Sequence, residues 1–66
     1  MSHFRCDFLD RSDRVVFTAE ITAKDLECAK RHAFGILQEK QESDPPTRAT
    51  GVAIWVDDVR VFPFDR

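Results

Sequence analysis

One stretch constrains what this chain can fold into more than any other. Across residues 22–41, TAKDLECAKRHAFGILQEKQ, apolar side chains recur at helical spacing, and no other part of the 66-residue chain keeps that rhythm. At about 100° per residue, Leu26, Ala29, Ala33, Ile36 and Leu37 fall in one stripe, with Phe34 at its edge. Lys24, Glu27, Cys28, Arg31, His32 and Glu39 project from the remaining surface. Such a helix requires a core on one side and water on the other. Thr22 is the expected N-cap, its hydroxyl accepting from a first-turn N–H, with Asp25 completing a variant of the capping box. Glu27 and Arg31 form an i,i+4 pair worth about 0.2–0.5 kcal/mol. The alanines of the stripe let the helix lie close to a sheet, and about 20 residues at a rise of about 1.5 Å span strands of ordinary length.

The flanks supply those strands. Residues 3–9 alternate, with Phe4, Cys6 and Phe8 on one side and His3, Arg5 and Asp7 on the other, Leu9 falling on the polar side. Residues 10–13 form a polar break of hairpin-loop length. Residues 14–21 then turn Val15, Phe17, Ala19 and Ile21 inward and Val16, Thr18 and Glu20 outward. After the helix, residues 42–48 make a connection in which Pro45 and Pro46 forbid further helix. Residues 50–56 set Val52, Ile54 and Val56 inward against Ala53 and Trp55, Asp57 and Asp58 reverse the chain, and residues 59–62 return. Strict alternation there puts Val59 and Val61 inward and Arg60 and Phe62 on the opposite face.

Two hairpins and one helical stripe must share a core, which predicts a single α+β domain over residues 1–66. It is a ββαββ chain, a four-stranded antiparallel sheet with one helix packed on one face. The crossover allows strand order 2-1-3-4 or 1-2-4-3. The first is preferred, because Pro63 cannot donate to a ladder and places strand four at an edge.

A chain this short buries only about 60% of its unfolded surface, so its core lies near the lower limit for independent stability and is of a kind often completed by a partner. Hydrophobic residues make up 42% and charged residues 33%, with ten basic against twelve acidic side chains. That balance describes a globular protein, and a net charge of −2 exerts no general pull toward nucleic acid or anionic membrane. No apolar run approaches the roughly 18 residues of a membrane span, and MSHFRCDFLD carries charges where a signal peptide needs an apolar segment. A cytoplasmic location is the expectation. Cys6 lies on the Phe4/Phe8 face and Cys28 opposite the helical stripe, so no disulfide is expected, and no spacing suggests zinc. Neither a metal nor a cofactor is anticipated.

A single helix cannot cover both faces of the sheet. The uncovered face is expected to collect Arg5, Val16, Thr18, Trp55, Arg60 and Phe62, with Leu9 among them and Phe64 nearby. A tryptophan among aliphatic and arginine neighbours points to homo-oligomerisation or a protein partner. The alternative is small-ligand or nucleic-acid binding through the same aromatics with Arg5 and Arg60. Against nucleic acid stand Asp7, Glu20, Asp57 and Asp58 in the same region, and no Lys/Arg stripe to attract phosphates. The best cluster for catalysis is Cys28 with Lys24, Arg31 and His32. An exposed helix offers it no pocket, oxyanion donors or orienting third group, so no catalytic residue and no enzyme are expected. His3 should face solvent, and Gly35 the exposed side of the helix.

The order FRCDFLD, polar turn, RVVFTAEI, alanine-containing helix and GVAIWVDDVRVFP resembles a family of short bacterial ββαββ proteins of unknown function. These share an aromatic first strand, an aspartate-bearing turn, a strand like IWVDD and a terminal V-x-x-P segment. The resemblance covers nearly the whole chain and implies the ββαββ fold, with no activity and no catalytic residue to carry over. The last hairpin, VDDV, departs from the pattern in lacking the glycine often found there. The layout is more distantly similar to dodecin-like flavin-binding shells, which place a single strand before the helix instead of two.

Overall fold

The computed structural model describes residues 1–63. Strands β1 (Ser2–Leu9) and β2 (Val15–Ala23) precede helix α1 (Leu26–Gln41), and β3 (Gly51–Val56) and β4 (Val59–Phe62) follow it. All pairings are antiparallel and the order is β2-β1-β3-β4. This is the α+β, ββαββ arrangement with the shorter, proline-terminated strand at one edge.

β1 is central because its apolar alternation is the cleanest. Phe4, Cys6 and Phe8 are all buried beneath α1, and the β1–β2 ladder sets them opposite Ile21, Ala19 and Phe17. The helix lays Ala29, Ala33 and Leu37 against that surface, with Leu26 and Ile36 half-buried around them. Val52, Ile54 and Ala49 close the core from the β3 side.

The helix begins later than its periodicity predicts. Thr22 is not the N-cap. It belongs to β2, opposite His3, its Oγ1 lying 3.3 Å from His3 Nδ1. Ile21 and Ala23 are both buried, so β2 continues through Ala23 before the chain can turn. Asp25 caps instead, with an extended φ of −157° and Oδ1 accepting from Cys28 N–H at 2.9 Å. Glu27 pairs with Lys30 at 3.2 Å, and Lys30 Nζ also sits 4.9 Å from the centre of the Phe62 ring. Beyond Gln41, Lys40 C=O accepts from Thr47 N–H and Gln41 Nε2 donates to Ala49 C=O, which ties the connection to the end of the helix.

Two bulges change the faces that strict alternation assigns. In the first hairpin Phe8 faces Phe17 but Leu9 faces Val15, so Val16 is the extra residue. Val15 thereby moves to the side of Leu9, away from the helix, and is 55% exposed. In the second hairpin Trp55 faces Arg60 but Ile54 faces Phe62, with Val61 the extra residue. Phe62 is therefore carried to the helix side, where it meets Phe34 edge-on at 5.8 Å. Val61 packs against the core as expected, whereas Val59, paired with Val56, stays exposed.

The turn between β3 and β4 has two central residues, Asp57 and Asp58, at φ 49° and 67°. Both in the left-handed region is the pattern of a type I′ turn, which suits Asn-Gly better than Asp-Asp. The double replacement Asp57→Asn, Asp58→Gly should therefore stabilise the chain by roughly 0.5–1 kcal/mol. A urea midpoint no higher than that of the parent would show that this turn carries no strain.

Candidate functional site

The face of the sheet away from α1 is organised in rows across the strands. One row runs through all four strands, Glu20, Arg5, Trp55 and Arg60 being successive cross-strand partners. The next is Thr18, Asp7 and Ala53, and the third is Val15, Leu9 and Gly51. Alternation along β1 and β3 dictates this placement, since the same strands turn Phe4, Cys6, Phe8 and Ile54 to the helix.

The first row is held by electrostatics. The Arg5 guanidinium lies 5.1 Å from the centre of the Trp55 ring, a cation–π contact, and Arg5 Nε is 3.6 Å from Asp7 Oδ1. Thr18 Oγ1 donates to the same Asp7 oxygen at 3.2 Å. Trp55 is half-buried, and its indole Nε1 is buried without a hydrogen-bond partner among the described residues. Such an unmet donor costs about 1–3 kcal/mol.

Two concavities flank Trp55. The larger, a groove of about 610 Å³, has Leu9, Val15, Ala53 and Trp55 among its apolar lining and Arg11 and Arg60 among its cations. Gly51 contributes no side chain to its row, which leaves the floor low. Asp7, Asp10 and Asp13 line the same groove, so it carries both signs of charge. The smaller, about 220 Å³, lies among Arg5, Glu20, Asp57 and Asp58.

Of the surface residues expected from the sequence, the structure brings Arg5, Thr18, Trp55 and Arg60 together on this face. Val16 is exposed at the bulge, outside the groove lining. Phe62 does not belong there, because the β3–β4 bulge turns it toward Phe34 and Lys30. Phe64 lies outside the described residues. Arg11, Asp13 and Val15 enter the groove without having been expected. The signal for Val15 is a bulge, which depends on how two strands match, and alternation within one strand cannot disclose it. Asp10 was readable as a turn former. Its Oδ1 accepts from Ser12 N–H at 2.8 Å and Arg14 N–H at 3.1 Å, and those bonds, Arg14's first, hold its carboxyl below the usual range. Asp25 is lowered likewise, chiefly by the Cys28 N–H.

The cysteines stay apart and free. Cys6 is fully buried, and burial, seconded by the charge of Asp7, pushes its thiol up to about 11. Cys28 differs from expectation. It is half-buried against the core instead of standing on a solvated face. Among the described residues no three His, Cys, Asp or Glu side chains gather as metal ligands. A thiol reagent at neutral pH should modify Cys28 in the native protein and leave Cys6 untouched until denaturant is added. Two rapidly reacting thiols without denaturant would contradict the burial of β1.

No helix among the described residues is long and apolar enough to cross a membrane. In comparisons with known proteins, no family model matches the chain, and neither does any curated protein or solved structure.

Proposed function

We propose that this chain is a small interaction module, non-enzymatic, that docks a protein or assembles with a further copy through the sheet face opposite the helix. The observation that carries this reading is the position of Trp55. It is central on the sheet face opposite the helix, stacked by Arg5 and neighboured by Arg60, and tryptophan and arginine are the residue types that concentrate binding energy in protein interfaces. The resemblance to short bacterial ββαββ proteins is compatible with such a role in the cytoplasm.

The groove supports a second reading, small-ligand or nucleic-acid binding. Its size falls in the range of small-molecule sites, and Arg11 and Arg60 beside an indole could hold an anionic aromatic ligand. The three aspartates in the same lining weaken it, because they oppose a phosphate.

Light scattering of the wild type and Trp55→Ala, with an oligonucleotide titration at low and high salt, separates the two. Loss of an oligomer in Trp55→Ala supports protein docking. A wild-type monomer with salt-sensitive oligonucleotide binding supports the second reading. If neither mass nor binding depends on Trp55, the proposal for this face is lost.

A further inference from the structure

The two edges of the sheet are not equally protected. β4 is four residues long, interrupted by a bulge and followed by Pro63, and each of these features discourages another strand from pairing with it. β2, at the opposite edge, has nine residues, VVFTAEITA, with its own bulge confined to its start at Val16, no proline, no glycine and Glu20 as its single charge. Its exposed apolar side chains include Val15 and Val16, and Phe17 and Ala19 are only half-buried.

The hydrogen-bonding direction of this edge follows from the ladder. Leu9 C=O accepts from Thr50 N–H at 2.7 Å, so Leu9 directs its backbone groups toward the β3 side. Alternation then turns Phe8, Cys6 and Phe4 toward β2, where they meet Phe17, Ala19 and Ile21. The N–H and C=O groups of Thr18, Glu20 and Thr22 consequently point outward.

We propose that a second copy of this chain pairs antiparallel with the outer edge of β2, the two-fold axis passing at Ala19, to make one continuous eight-stranded sheet. That register aligns the regular part of β2 beyond the Val16 bulge, Phe17 of one copy opposite Ile21 of the other. It sets Thr18 opposite Glu20 on both sides of the axis, so the lone carboxylate faces a hydroxyl and never its own counterpart. A register centred on Glu20 would oppose the two carboxylates. A strand with one charge fits a partner that is equally neutral, and the chain's own β2 is such a strand. The helices then lie on the same face of the joint sheet, and Trp55 of both copies lies on the other. The pairing uses the strand edge and stands whether or not the open face docks a partner.

Sedimentation of the wild type, Thr18→Pro, Thr18→Lys and Trp55→Ala tests it, together with amide exchange of the wild type at several concentrations. Proline at position 18 removes an N–H that the β1 ladder does not use, so the fold is kept and the edge is blocked. The expected result is a wild-type species of twice the 7.6 kDa chain mass that becomes a monomer in Thr18→Pro. Trp55→Ala should keep the edge-paired dimer, losing at most assembly through the face that carries Trp55, and Thr18→Lys should keep it too, since the lysine faces the partner's Glu20. Should Thr18→Pro fail to fold, the wild-type amides of Thr18, Glu20 and Thr22 decide. The proposal requires them to be protected like ladder amides and to lose that protection on dilution. Rapid exchange at every concentration overturns it, as does a dimer that survives Thr18→Pro but is broken by Trp55→Ala.

Discussion

Phe8→Ala should leave this chain largely unfolded at 25 °C, by far-UV circular dichroism and by loss of a cooperative urea transition. Phe8 is fully buried at the centre of the sheet and stacks on Phe17 with ring centroids 4.3 Å apart and planes within 9°. Removing a buried phenylalanine side chain costs about 3–5 kcal/mol, from lost transfer energy and from the cavity left behind. A domain of this length has only about 3–10 kcal/mol in total, so one substitution removes most of it. Phe8→Leu, which refills much of the volume, should still fold with a lowered midpoint. A cooperative Phe8→Ala transition close to that of the wild type would mean that the core is not centred on β1.

Ala33→Leu should also be severely destabilising, for the opposite reason. Ala33 is fully buried where α1 lies on the sheet, and its lack of side-chain bulk is what sets the helix-to-sheet distance. Forcing extra methylenes into that contact costs roughly 1–3 kcal/mol through displaced side chains and backbone. The neighbouring Gly35 provides the control. It is exposed, and an added Cβ there meets nothing within 4 Å, so Gly35→Ala should stabilise by roughly 0.5–1 kcal/mol through helix propensity alone. Urea midpoints of the two variants should move in opposite directions. If Ala33→Leu were neutral, α1 would not be seated on the sheet as closely as its alanines suggest.

Most of the fold is legible in the sequence. The burial of Phe4, Cys6 and Phe8 follows from alternation in β1, and the seating of Ala29, Ala33 and Leu37 from helical spacing. Pro63 correctly suggested an edge position for β4, and with it the order β2-β1-β3-β4. The errors fall where two elements meet. Thr22 has the chemistry of a cap, but the neighbouring burial of Ile21 and Ala23 keeps it in β2, and capping passes to Asp25. Phe62 reads as an outward residue by counting from Val59, yet the bulge at Val61 turns it under Phe34.

The candidate surface divides in the same way. Arg5, Thr18, Trp55 and Arg60 could be assigned to one face from period-two alternation, a property of each strand alone. The meeting of Arg5, Trp55 and Arg60 in one row, the entry of Val15 into the groove and the unequal protection of the two edges depend on register and strand order. Those are relations between segments distant along the chain. The amino-acid sequence by itself determined which side chains seek the core, because hydrophobic periodicity is local. Only the tertiary structure decided where the strands slip by one residue, because a bulge is settled by how two strands and a helix together fill the space between them.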